Sequence, residues 1–133
     1  MKQIRVALIA SFLAFHLAPA LAGNVTKGRL LFDQCAACHG PEGAGSPRAP
    51  SLIGVVGRPA GHLEGFRFSN AMRRSGMVWS AQNLVHYLLN PQQAVPGNRM
   101  PFEGLASAEE ADDLVSYLAI LEMDPSNPKA QKK

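Results

Sequence analysis

Cys35, Ala36, Ala37, Cys38 and His39 are the residues of this sequence best placed to do chemistry together. Two thiols separated by two residues and followed at once by an imidazole form the attachment pattern for a c-type haem. The spacing has a mechanical reason. The thiols reach two vinyl groups on one porphyrin edge while the adjacent imidazole points beneath the ring at the iron, so attachment and ligation come from one short stretch. A zinc site would need two further ligands, and His16, His62 and His86 show no zinc-type spacing. A thioredoxin-like pair needs a βαβ setting that the flanking sequence lacks, and it gives His39 no role.

With His39 on one side of an iron, function turns on what stands opposite. A carrier closes both axial positions, whereas an enzyme or gas sensor leaves one open. The candidates are His62, His86, Met72, Met77, Met100 and Met123. A distal ligand must cross the ring from His39, which favours a stiff loop far along the chain. Met100 meets this, because Pro96 and Pro101 bracket it in a turn-rich stretch and reduce the entropy lost on ordering. His62, in a loop beside Gly61, is the best alternative. Met72 and Met123 fall in predicted helices, where methionine commonly fills core space.

The elements that must hold these residues read as helices. Val25 to Gln34 forms the first, with Gly28, Leu31, Phe32 and Cys35 at helical spacing, so that its end delivers the first cysteine. Gly28 costs about 1 kcal/mol relative to alanine in a helix interior, which marks a close approach by another helix. Gly40 to Gly61 is rich in Gly and Pro without a sustained period, a long loop expected to wrap something. Ser69 caps a short helix that stops at Gly76. Ser80 caps the next, with Asn83 at its third position and Trp79 and Leu84 as a hydrophobic staple, and that helix ends before Pro91. The last is the clearest: Ser107 and Glu110 suggest a capping box, and Ala111, Leu114, Val115, Leu118 and Leu121 share one face. No strand pattern and no repeat is visible, so the fold class is all-α.

Residues 1–22 read as a secretory signal peptide. Lys2 and Arg5 precede the apolar run Val6 to Leu17, too short to span a bilayer, and Ala20-Leu21-Ala22 is a small-residue cleavage site. The mature chain then begins at Gly23, with one domain over 23–124 and a polar tail over 125–133. Export suits the two cysteines, which thioether bonds would consume. The domain is light in aliphatic residues for its length, a deficit that a buried cofactor would fill. Thirteen basic residues face ten acidic ones, and loss of Lys2 and Arg5 brings them near balance, which gives no reason to expect nucleic-acid binding. The charges are nevertheless segregated: Arg58, Arg67, Arg73, Arg74 and Arg99 lie mid-chain, and Glu109, Glu110, Asp112, Asp113, Glu122 and Asp124 lie late.

Over nearly all of the mature chain the sequence resembles class I cytochrome c. Pro50-Ser51-Leu52-Ile53-Gly54-Val55-Val56-Gly57-Arg58 is similar to the family's P-x-L-x-G-x-x-G-R loop. Trp79, Tyr87-Leu88-Leu89-Asn90-Pro91 and Pro96-Gly97-Asn98-Arg99-Met100-Pro101-Phe102 follow in family order, and Asp113-Leu114 and Tyr117-Leu118 resemble its last helix. The resemblance implies three main helices with short helices and loops around one haem c, bound covalently through Cys35 and Cys38. It implies His39 and Met100 as iron ligands, the Pro50 carbonyl as acceptor from the other His39 ring nitrogen, and Tyr87 as donor to the Met100 sulfur. Arg58, Trp79 and Asn98 would hold the inner propionate. There are departures: Phe68 stands where the family often has a tyrosine, and the first helix is one residue shorter between Phe32 and Cys35. Gln34, Gln92 and Gln93 replace lysines around the haem edge.

The expected function is that of a periplasmic one-electron carrier, not an enzyme. It would exchange electrons with redox proteins, be monomeric, and meet membranes only through partner complexes. The alternatives are an electron-transfer subunit dedicated to one dehydrogenase, or a haem enzyme or ligand sensor with a labile sixth position.

Overall fold

A computed structural model describes residues 23–121; the expected leader (1–22) and tail (125–133) lie outside them. Five helices follow one another: α1 (Val25–His39), α2 (Asn70–Arg74), α3 (Ala81–Leu89), α4 (Pro91–Ala94) and α5 (Ala108–Ile120). The architecture is all-α. Among the described residues the one strand-like pairing is an isolated bridge between Pro59 and Val78.

Each helix starts where a short polar side chain can satisfy a free backbone N–H. Asn24, Ser69, Ser80, Asn90 and Ser107 accept from Lys27, Met72, Asn83, Gln93 and Glu110 respectively. At α5 the Glu110 carboxylate reaches back to the Ala106 N–H at 3.1 Å, one residue ahead of the cap itself. α1 runs past the predicted end at Gln34, because Ala36 and Ala37 let the helix carry both cysteines and His39 through its last turn. α4 was not expected from the sequence; Asn90 caps it and Pro91 fills its first position, where no N–H is needed.

The core is built where α1 crosses α5. Phe32 (2% exposed) and Tyr117 meet with ring centroids 5.3 Å apart, beside the fully buried Leu114 and Val115. Gly28 makes the crossing possible: a Cβ there would collide with the Asp113 carbonyl and stand 2.9 Å from the Tyr117 Cβ. α3 lies along the other side of α5 and brings Leu84, Tyr87 and Leu88 into the same core. Burial of each large side chain stabilises this arrangement by roughly 1.5–3 kcal/mol. The long segment between α1 and α2 and the turn after α4 then close over the side of this frame.

Candidate functional site

Those two segments and the inner faces of α1, α3 and α5 enclose a cavity of about 940 Å³. Interiors seldom hold voids much larger than a water molecule, and this one lies at the upper end of the roughly 300–1,000 Å³ usual for cofactor pockets. Its wall is mainly apolar, with Leu52, Val55, Met72, Trp79, Leu88, Leu114 and Leu118 contributing.

Cys35, Cys38 and His39 line one side. They occupy positions i, i+3 and i+4 of α1 and so share a helix face. Both cysteines are unpaired and half-buried. Burial, with a smaller contribution from Cys38, pushes the Cys35 thiol up to about 11, which keeps it protonated and opposes thiolate chemistry. Among the described residues no group of three or more His, Cys, Asp or Glu is arranged to hold a metal ion. The zinc alternative therefore has no geometric support.

His39 is 8% exposed, and its Nδ1 lies 2.7 Å from the Pro50 carbonyl oxygen. With Nδ1–H donating there, the Nε2 lone pair is left free to ligate. Burial draws the imidazole below its usual range, in favour of the neutral form a metal requires. The loop after α1 fixes this geometry. Gly45 N–H donates to the His39 carbonyl at 2.7 Å, and the Ser46 hydroxyl to the Cys38 carbonyl at 2.6 Å.

Of the six candidates for the opposite position, Met72 and Met100 line the cavity, whereas His62, His86 and Met77 do not, and Met123 lies outside the described residues. The His62 Nδ1 is engaged with the Ala60 carbonyl of its own loop. Met100 is held from several sides. The Tyr87 hydroxyl donates to its sulfur at 3.8 Å, and its backbone N–H donates to Asn98 Oδ1 at 2.9 Å. The Asn98 amide donates to the Pro91 and Val95 carbonyls at 2.8 and 3.0 Å, and Gln92 Nε2 donates to the Asn98 carbonyl at 3.1 Å. Asn98 thus spends its donors on the loop that carries Met100. Tyr87 is 5% exposed, and burial pushes its hydroxyl up to about 12, so it remains a donor at neutral pH.

Arg58 also lines the cavity and donates to the Ser51 and Ile53 carbonyls at 2.7 and 3.3 Å. Among the described residues no carboxylate comes within 4.0 Å of it, and burial weakens its hold on the proton. A half-buried guanidinium without a counter-ion suits an acidic group on the cofactor. Trp79 stands against Tyr87, ring centroids 4.9 Å apart, and Phe68 brings no hydroxyl to the wall. Two thiols, an imidazole, an apolar wall and the half-buried Arg58 therefore fit a haem. Sequence reasoning had passed over Gln92 as a loop clasp and Met72 as cavity wall. Neither residue carries a local motif; their roles emerge from the packing of α2 and α4.

Comparison with known proteins agrees with this chemistry. The family model described as cytochrome c matches residues 25–122. A cytochrome c2 of Rhodomicrobium vannielii is 37% identical over 120 residues, covering 90% of this chain and 96% of that protein. A cytochrome c of Chlamydomonas reinhardtii is 42% identical over 103 residues, covering 76% and 92%. Among solved structures, cytochrome cH from Methylobacterium extorquens superposes with a TM-score of 0.69 at 36% identity, covering 73% of this chain and 98% of that one.

Proposed function

The chain belongs to the cytochrome c family, which makes it a haem c electron carrier with redox proteins as partners, and we propose that it works as an exported carrier with His39 and Met100 as its iron ligands. The observation that carries this reading is that His39 and Met100 line the same cavity as Cys35 and Cys38, each with a second bond that fixes its orientation. When bound, the haem supplies an iron that alternates between ferric and ferrous states. The residues of the chain govern how easily it does so.

Pro50 holds His39 in one tautomer and raises the basicity of the ligating nitrogen. Tyr87 draws electron density from the Met100 sulfur, which favours ferrous iron. The apolar wall penalises the extra positive charge of the ferric state and acts in the same direction. Arg58 and Trp79, both on the cavity wall, would hold a propionate, while Asn98 acts through the loop it clasps. Held by His39 and Met100 on a pinned loop, the group would need little rearrangement when one electron enters or leaves. Partners would approach the rim of the cavity near Cys35, Gln92 and Arg99 through a small, transient interface. Export to the periplasm is supported by the expected leader and by a cysteine pair consumed in cofactor attachment. No helix among the described residues is long and apolar enough to cross a membrane.

The test is the ferric absorption spectrum of the holoprotein and of Met100→Ala. The parent should show the weak sulfur-to-iron charge-transfer band, and the variant should lose it and bind CO rapidly when reduced. A band that survives the substitution overturns the ligand assignment, and a high-spin parent spectrum favours the sensor reading.

A further inference from the structure

A smaller cleft, of about 270 Å³, lies beside the site where the segment ahead of α2, α2 itself and the turn after α4 meet. Each of the three contributes one guanidinium, from Arg67, Arg73 and Arg99 respectively. Gly97 adds no side chain to the lining, and a Cβ there would stand 3.5 Å from Ala71 Cβ, so the turn lies against α2. Among the described residues no carboxylate comes within 4.0 Å of any of the three arginines.

The remaining polar groups of the lining do not supply the missing acceptors. Ser69 Oγ already takes the Met72 N–H at 3.0 Å, and Asn70 Oδ1 takes Arg73 Nη2. Because an arginine can only donate, that contact fixes the Asn70 amide oxygen toward it and leaves the Asn70 Nδ2 as a spare donor. Neither Nδ2 nor the Ser69 hydroxyl hydrogen has an acceptor among the described residues. Arg73 Nη1 donates to the Phe68 carbonyl at 2.9 Å and Arg99 Nη2 to the Arg67 carbonyl at 2.6 Å, whereas the Arg67 guanidinium has no partner among the described residues. Spare donors and positive charge therefore collect in one recess with little to receive them.

The structure assigns this cleft as a binding site for a small, doubly charged phosphate, free or as a soluble monoester. Such an anion brings several acceptor oxygens and the charge that the recess lacks, and paired phosphate oxygens match the guanidinium fork. Two of the three forks are set in place by backbone carbonyls before the anion arrives, so less side-chain freedom is lost on binding. The anion also relieves the mutual repulsion of three like charges. A carboxylate has too few oxygens to serve all three arginines. A lipid headgroup carries the same phosphate, but the exposed large apolar residues Val25, Leu30, Val78 and Ile120 are all absent from the lining, so no apolar anchor accompanies the arginines into a bilayer. Arg67 and Arg99 also border the large cavity, whereas Arg73 lines the cleft alone and is the cleanest position to test.

The experiment follows isotope-labelled ferrous holoprotein by NMR as inorganic phosphate replaces sodium chloride at constant ionic strength. The backbone amide signals of Arg67, Ser69, Arg73 and Arg99 should shift together and saturate with one dissociation constant. Arg73→Gln should raise that constant at least about ten-fold, as the loss of one charge-assisted hydrogen bond requires. Arg67→Gln should do the same, which keeps the test open if loss of the Phe68 bond unsettles α2. Arg29→Gln, the same loss of charge on α1, should change the constant by less than about two-fold, because screening confines its effect. Shifts that grow without saturating, or equal weakening by Arg29→Gln and Arg73→Gln, overturn the site. Co-sedimentation with vesicles of phosphatidylcholine and phosphatidic acid, without any response to free phosphate, overturns the soluble ligand.

Discussion

Two side chains beside Met100 divide its control between electronics and mechanics. Tyr87 donates to the sulfur, whereas Asn98 holds the loop through one accepted and two donated bonds. Tyr87→Phe should keep the charge-transfer band, since the thioether remains, but lower the reduction potential. A net hydrogen bond of about 0.5–1.5 kcal/mol sets a ceiling of roughly 60 mV on that fall for a one-electron couple, to be read by redox titration. Asn98→Ala should do the reverse. It strands the Met100 N–H and removes one of two donors from each of the Pro91 and Val95 carbonyls, which keep the Val95 and Asn98 backbone N–H groups, at a cost of roughly 1–3 kcal/mol, so denaturant should abolish the band earlier while the potential of the folded protein moves little. The types of these residues were visible in the sequence, and the ordered run from Tyr87 to Met100 made them candidates. Whether Asn98 faces the cofactor or its own loop was not, because an amide side chain serves either purpose and only the fold of the turn selects one.

At the level of the helices, sequence was informative where a cap or a face repeats a known pattern. Ser69, Ser80 and Ser107 announced their helices, and Gly28 announced a crossing. The true end of α1 was hidden, since nothing in Cys-Ala-Ala-Cys-His breaks a helix and the stop comes from Gly40 and the carbonyl caps behind it. α4 was hidden for another reason: one turn is too short to show a period. The crossing gives the sharpest test. Gly28→Ala gains about 1 kcal/mol of helix propensity, yet its methyl would meet backbone rather than a side chain that can move. Overpacking of roughly 1–3 kcal/mol should win, and thermal melting should fall. Leu30→Ala, on the exposed face of the same helix, should change stability by no more than about 0.5 kcal/mol. Ser80→Ala should cost about 1 kcal/mol by uncapping α3.

For the molecule as a whole, the segregation of charge along the chain becomes a segregation in space. Arg67, Arg73 and Arg99 line a second cleft of about 270 Å³, and Arg67, Phe68, Ser69 and Arg99 border both this cleft and the large cavity. Arg99 donates to the Arg67 carbonyl at 2.6 Å and Arg73 to the Phe68 carbonyl at 2.9 Å, so two of the three cations are anchored. Among the described residues no carboxylate approaches any of the three within 4.0 Å. The exposed acids Glu109 and Asp112 sit on α5, while the uncharged Gln34 lines the cavity beside Cys35 and Cys38. An anionic electron acceptor should therefore be drawn to the arginine side of the cavity. Oxidation of the reduced protein by ferricyanide should slow as ionic strength rises from about 10 to 100 mM, over which the screening length shrinks from about 30 to 10 Å. Arg73 does not itself line the cavity, so Arg73→Gln removes a charge from the cleft while costing the wall only the bond to the Phe68 carbonyl, and it should flatten that salt dependence in stopped-flow measurements. Arg29→Gln, an equal loss of charge on α1, should leave most of it. Equal flattening by the two variants would mean that net charge, not the cleft, steers the encounter.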